Sequence, residues 1–237
     1  MKDVASLSRR LKERAGELGL SPVGITTAAP LNETRTILEQ LAQTGQQPPF
    51  TSGNMFQRTD PKLFWPAAKS VVMVGLPFPV PTVGPTNGTL QGYLAAGAYE
   101  QDYHRVLRDK LTRLAAFLQQ DVPAARTFPF VDTGPLVERA LAHRAGLGVR
   151  GENSFVMQPQ LAPAFFLGGL ITDVDLVSDS PSDSTCLQCG RCRDACPTNA
   201  LDIPYRLNYR RCLSYWTQAK EIMPPELRPL LGNRLYG

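Results

Sequence analysis

A chain of 237 residues, 43% hydrophobic and 19% charged, is long and apolar enough to bury a full core, which excludes a disordered protein. A net charge of +4 permits a nucleic-acid partner but is too small to indicate one. The longest apolar runs, Val71–Gly75 and Phe165–Ile171, cannot span a bilayer, and the N-terminus, with Lys2, Arg9, Arg10, Lys12 and Arg14, lacks the apolar core of a secretory signal. The expectation is a cytoplasmic protein with no membrane partner.

Val4, Leu7, Leu11, Ala15 and Leu18 recur at spacings of three and four, predicting an opening amphipathic helix closed by Gly19. A short β-prone segment, Ser21 to Thr26, follows. A second helix is predicted from Asn32, which can cap it, burying Ile37, Leu38 and Leu41. Gln47 to Pro61 is polar and turn-rich and reads as a loop with room for a ligand contact. Ser70 to Leu76 is continuous and β-branched, the pattern of a buried strand. Pro77 to Gly92, rich in proline and glycine, predicts an extended loop. A third helix starts near Asp102, with Leu107, Leu111, Leu114 and Leu118 as its buried stripe. Arg126 to Asp132 predicts a strand ending on Asp132, and Pro135 fits the first position of a further helix that Gly146 ends. Ser154–Met157 and Phe165–Thr172 are the last β-prone segments. Helices alternating with strands imply an α/β or α+β domain over residues 1–177. Ser178 to Thr185 is a polar linker, and residues 178–237 form a second unit carrying every cysteine.

Cys186, Cys189, Cys192 and Cys196, followed by Pro197, spell C-x2-C-x2-C-x3-C-P, the spacing of bacterial-type ferredoxins. Three thiolates two residues apart can wrap one iron–sulfur cluster, while the fourth, turned away at Pro197, serves a neighbouring cluster. Zinc is the alternative occupant, but zinc ribbons separate their cysteine pairs by about a dozen residues or more. Cys212 taken alone reads as a buried thiol; beside this motif it reads as a further ligand.

Several runs then resemble one family. They are Val131-Asp132-Thr133-Gly134-Pro135-Leu136-Val137-Glu138-Arg139, Arg144 to Gly148, Gly151-Glu152-Asn153, Arg58-Thr59-Asp60-Pro61, Asp102-Tyr103-His104, Phe166-Leu167-Gly168, Ile171-Thr172-Asp173, and Pro225 to Gly237. Together, and in this order, they resemble epoxyqueuosine reductases. That resemblance implies a cobalamin-binding N-terminal domain, a ferredoxin-like second domain with [4Fe-4S] clusters, and reduction of epoxyqueuosine to queuosine in tRNA. It implies Asp132 as the proton donor to the departing oxygen, with Arg58, Asp132, Asn153 and Ser154 at the cobalamin and Cys186, Cys189, Cys192, Cys196 and Cys212 at the clusters. The external electron donor is not implied.

Each of these residues also has a plainer role. Asp132 could cap the helix after it, Arg58 could be a solvated loop arginine, and Asn153 a turn residue. A carboxyl beside an apolar cofactor face is expected to be partly desolvated. His104 and His143 read as structural or surface histidines. Arg105, Arg108, Lys110, Arg113, Arg206, Arg210 and Arg211 could meet tRNA phosphates, although charge runs of this size are usually solvated faces. Two positions depart from the family pattern: Glu152 stands where a lysine is usual, which keeps a paralogue with another substrate as the alternative, and Gly169 stands where a glutamate is frequent. The family continues past the position matching Gly237 with a second cysteine motif, so the resemblance implies a chain cut short and an incomplete cluster domain.

Overall fold

The computed structural model describes residues 3–51, 53–80, 91–99, 101–158 and 164–237. In chain order the elements are α1 (Val4–Glu17), β1 (Val23–Thr27), α2 (Asn32–Gln43), α3 (Met55–Thr59), α4 (Pro61–Phe64), β2 (Ser70–Pro77), β3 (Tyr93–Leu94), α5 (Tyr103–Asp121), β4 (Thr127–Phe130), α6 (Glu138–Arg144), β5 (Val149–Arg150), β6 (Val156–Met157), β7 (Phe165–Thr172), α7 (Arg191–Asp194), α8 (Leu213–Trp216), α9 (Arg228–Leu231) and β8 (Arg234–Tyr236). A four-stranded sheet runs β1-β2-β7-β4, with every neighbouring pair antiparallel. Of the two fold classes left open by the sequence, this is the α+β one.

The sheet is covered on both faces, which explains why β2 reads as an unbroken apolar run rather than an alternating one. Val72 and Val74 of β2 and Leu170 of β7 pack against α1 and α5 on one face. Val71, Met73 and Ile171 point to the other, toward Phe130, Leu141 and Leu147. Helix α5 contributes the predicted stripe: Leu107, Leu111, Leu114 and Leu118 are fully buried, each stabilising the fold by roughly 1.5–3 kcal/mol. Asp102 caps α5 by accepting the His104 N–H at 3.0 Å, and Asp3 caps α1 in the same way.

Several expectations change. Helix α2 buries no residue; Ile37, Leu38 and Leu41 are only half-buried, and Leu31 rather than Asn32 is its cap. The loop expected over Gln47–Pro61 contains α3 and leads into α4, capped by the side chains of Asn54 and Asp60. Helix α6 begins at Glu138, not at Pro135, because the Asp-Thr-Gly-Pro segment is used as a turn instead. Most of the loop expected over Pro77–Gly92 lies outside the described residues.

The serine-rich linker has no regular structure but is pinned to the edge of β1. Asp179 accepts the Ile25 N–H at 2.9 Å, donates its own N–H to the Ile25 carbonyl and pairs with Lys12 at 2.6 Å. It thereby covers an otherwise open strand edge. Beyond it, short helical turns carry the cysteines, and β8 returns to pair in parallel with β3. Arg206 and Arg210 tie this unit to the first, reaching Gln40 at the end of α2 and the Gly45 carbonyl beyond it.

Candidate functional site

A cavity of about 670 Å³ lies between the sheet domain and the cysteine-bearing unit. Its wall draws on α3 (Arg58), the start of α5 (Tyr103), the turn after β4 (Asp132) and the start of α6 (Glu138, Arg139). Phe166, Asn153, Cys196 and Cys212 also line it. Residues from both units therefore face one space, as Arg58, Asp132, Asn153 and two of the cysteines were expected to do. Ser154 and the cysteines at 186, 189 and 192 are not part of that wall.

Asp132 follows β4 and is the central residue of a tight turn in which the Thr133 N–H donates to the Val131 carbonyl. Its φ is +44°, a region that non-glycine residues rarely occupy. Its carboxylate accepts the Tyr103 hydroxyl at 2.7 Å, and His104 Nε2 stands 3.6 Å from the same oxygen. The other ring nitrogen of His104 lies 2.8 Å from Asp102. His104 is thus a neighbour of the site and not a remote structural residue. Asp132 does not cap α6, whose cap residue is Val137 without a side-chain bond, so the plainer alternative for Asp132 is not realised.

The expected desolvation falls elsewhere. The Asp132 side chain is 64% exposed, toward the cavity, while the acid beside it, Glu138, is half-buried on the same wall. Burial pushes Glu138 up to about 8, and the charge of Asp132 adds to the shift. Burial, then the hydrogen bond to Asp132, also raises Tyr103, so its phenol stays protonated and remains a donor at neutral pH. The Tyr103 ring is held by a parallel stack on Phe166, with centroids 3.8 Å apart and an interplanar angle of 4°. Gly97 permits this: a Cβ there would sit 2.3 Å from the Phe166 ring.

Arg58 Nη1 is buried without a hydrogen-bond partner among the described residues, and burial lowers the pKa of its guanidinium. An unpaired buried donor on a cavity wall is a place for a ligand carbonyl or phosphate oxygen. Asn153 closes a turn by accepting the Phe155 N–H at 3.1 Å, so its plainer role is realised while it also faces the cavity. The Ser154 carbonyl accepts from Arg139 at 3.1 Å. Polar side chains, aromatic rings and one unpaired buried donor on the same wall are features that suit a large amide-bearing cofactor.

None of the five cysteines is in a disulfide. Among the described residues, no three His, Cys, Asp or Glu side chains are grouped as ligands of a single metal ion. Cys196 is the best prepared ligand. Burial raises its thiol, but hydrogen bonds from Thr198, Ala200 and Leu201 outweigh burial and bring it below the usual thiol range. The Ala200 N–H reaches its sulfur at 3.2 Å, and Arg211 holds the Thr198 carbonyl beside it at 2.6 Å. Amide bonds to sulfur are what a thiolate bound to a cluster requires.

The two departures from the family pattern also have a setting. Glu152 is buried at 7% exposure, so it is not presented to a polyanion at the surface. At Gly169 a Cβ would lie 2.4 Å from the Phe130 ring, so this packing has no room for the larger residue. Of the basic residues set aside as phosphate contacts, Lys110 donates to the Leu18 carbonyl at the end of α1, and Arg113 pairs with Asp109 at 3.0 Å. Sequence reasoning missed Tyr103, His104 and Glu138 as site residues, although all three lie within the quoted runs.

The fold and its shared cavity define a two-part protein with a cysteine-rich unit facing an α+β domain. Residues 58–133 match the family model described as "Epoxyqueuosine reductase QueG, DUF1730", and residues 185–237 match that described as "4Fe-4S double cluster binding domain". The chain is 37% identical to an epoxyqueuosine reductase of Staphylococcus aureus over 99% of its own length and 63% of that protein's. It is 36% identical to that of Lactococcus garvieae over 98% of its own length and 67% of the relative's. It also superposes with a TM-score of 0.93, at 36% identity, on a crystal structure of epoxyqueuosine reductase with an epoxyqueuosine-modified tRNA-Tyr stem loop; the match covers 99% of this chain and 63% of that one. The chain belongs to the epoxyqueuosine reductase family and spans less than two thirds of the first-named relative's length.

Proposed function

We propose that the protein takes part in reducing the epoxide of epoxyqueuosine in tRNA to give queuosine, in the cytoplasm, using cobalamin and [4Fe-4S] clusters. The observation that carries this is the shared cavity, where Asp132, the unpaired Arg58 Nη1, the last cysteine of the cluster motif (Cys196) and Cys212 face one space. Residues 1–177 form the cobalamin-binding domain and residues 178–237 the ferredoxin-like one. When bound, cobalamin supplies the low-valent cobalt that reduces the epoxide carbon.

The chain's own residues hold, orient and protonate. Arg58 Nη1 would donate to a cofactor amide or phosphate oxygen, with Asn153 on the same wall and Ser154 next to it in the chain, behind that wall. Cys186, Cys189 and Cys192 give thiolates to one cluster, while Cys196 and Cys212 contribute to another nearer the cavity. Asp132 gives a proton to the departing epoxide oxygen, which would otherwise leave as a high-energy alkoxide. Tyr103 keeps that carboxyl aimed through its 2.7 Å hydrogen bond.

The test is queuosine formation on epoxyqueuosine-containing tRNA, in a strain lacking its reductase and with purified, anaerobically loaded protein. Asp132→Asn keeps the shape and the Tyr103 contact but has no acidic proton to give. Turnover should fall by about 10²-fold or more, with cobalamin still co-eluting on gel filtration. Full activity in the Asn variant would remove Asp132 from the chemistry, and no queuosine from unaltered protein shown to carry both clusters and cobalamin would remove the substrate.

A further inference from the structure

The Asp132 turn needs something to hold it. At φ +44° an L-residue carries strain on the order of 1 kcal/mol or more, and the residues before it are already extended as β4. Left alone, the backbone would relax toward the extended region and swing the carboxylate away from Tyr103. One contact opposes this directly. The Asp132 N–H donates to Glu138 Oε1 at 2.6 Å, across the loop formed by Thr133 to Val137.

Glu138 is well placed for the task. It opens α6, whose Leu141 and Ala142 are fully buried. The preceding residue is fixed too, since the Val137 N–H donates to the Arg58 carbonyl at 3.0 Å. The acceptor is thus anchored to the core from one side and to α3 from the other. Glycine and proline at 134 and 135 let the intervening chain fold back so that the acceptor meets the donor.

We propose that Glu138 is a positioning residue: by accepting the Asp132 N–H it holds residues 131–133 in the strained turn that presents the Asp132 carboxylate to the cavity. This rests on the reading of Asp132 as the acid. The contact does not depend on the charge of Glu138. Burial favours its neutral form and the Asp132 N–H the ionised one, and in either form a carboxyl oxygen offers a lone pair to that N–H.

Hydrogen exchange at the Asp132 amide in the full chain, in one loading state throughout, tests the hold. Glu138→Ala removes the acceptor, and exchange at Asp132 should speed up roughly tenfold or more. Glu138→Gln keeps a carbonyl oxygen at the same reach, and protection should return to within about twofold of the unaltered protein. The amides of Leu141 and Ala142 are the internal control, and their unchanged protection shows that α6 is folded. Unchanged exchange at Asp132 in Glu138→Ala overturns the proposal, as does equal loss of protection in Glu138→Gln. A global loss of protection in Glu138→Ala shifts the decision to Glu138→Gln alone. Turnover separates the two levels: if Glu138→Ala frees the turn yet turnover is unaffected, the hold stands and Asp132 is not the acid.

Discussion

Around Asp132, three side chains meet: Tyr103 and His104 from the start of α5, some thirty residues earlier, and Glu138 from α6, six residues later. Asp132 itself was legible through its run of neighbours, whereas these partners were not, because side-chain convergence leaves no local spacing to read. The one available signal was an acid in the first turn of a helix otherwise facing the core. Glu138 makes a pH prediction with a definite sign. Its folded pKa, about 8, lies above the ordinary 4.5, so the folded state holds a proton that the unfolded state has released between those values. The stability linked to this proton is full below about pH 4.5 and is lost as pH rises through about 8. Subtracting the urea-denaturation free energies of Glu138→Gln from those of the unaltered protein should give a curve that falls across that window and is flat outside it. A flat difference curve means Glu138 is ionised in the fold at neutral pH. Arg58 makes a second residue-scale prediction. The buried Nη1 of the half-buried Arg58 lacks a partner until a ligand meets it, so Arg58→Met should leave the melting temperature of the cofactor-free protein unchanged or slightly raised. Cobalamin retained through gel filtration should decrease. A lower melting temperature would mark Arg58 as structural.

At the scale of elements, what could be read depended on how much periodicity an element shows. Helix α5 repeats its leucine stripe over about three turns, and β2 and β7 are long buried strands; each was legible to within a residue or two. Strands β3 and β5 have two residues each, too few to display an alternation, and α2 keeps an amphipathic spacing although the fold only half-buries it. Antiparallel pairing was not legible either, since both-face burial produces the same continuous apolar run in either orientation. Gly169 of β7 shows what the strand packing demands. It pairs with Phe130 of β4 and Met73 of β2, and a Cβ would strike the Phe130 ring at 2.4 Å and come within 3.0 Å of the Met73 sulfur. Gly169→Ala should therefore destabilise by roughly 1–3 kcal/mol through overpacking. In a double-mutant cycle with Phe130→Leu, the alanine should become less costly, because the smaller side chain vacates the space. If the two changes simply add in urea denaturation, the ring is not what excludes a side chain at this position.

Across the whole molecule, the cysteines divide by position. Cys196 and Cys212 line the cavity with Asp132 and Arg58, whereas Cys186, Cys189 and Cys192 are not on that wall. The C-x2-C-x2-C-x3-C-P spacing makes the motif legible as a cluster binder and sets its last cysteine apart, and the fold adds that this cysteine is the one on the cavity wall. If the two groups serve separate clusters, lesions in them should act independently. Cys189→Ser and Cys196→Ser, each reconstituted anaerobically with iron and sulfide, should each lose about half of the bound iron. The double variant should lose nearly all of it. The two single variants should also differ in kind: the cluster remaining in Cys189→Ser is the one beside the cavity, so its visible spectrum should respond to added cobalamin, and that of Cys196→Ser should not. Iron and sulfide analysis with absorbance spectroscopy reads both effects. Should the double variant lose no more iron than either single one, the thiolates share one cluster, against both the motif's spacing and the fold. Electrons would then reach the cavity from a single centre, and the division of the cysteines between cavity wall and outer loop would have no redox meaning.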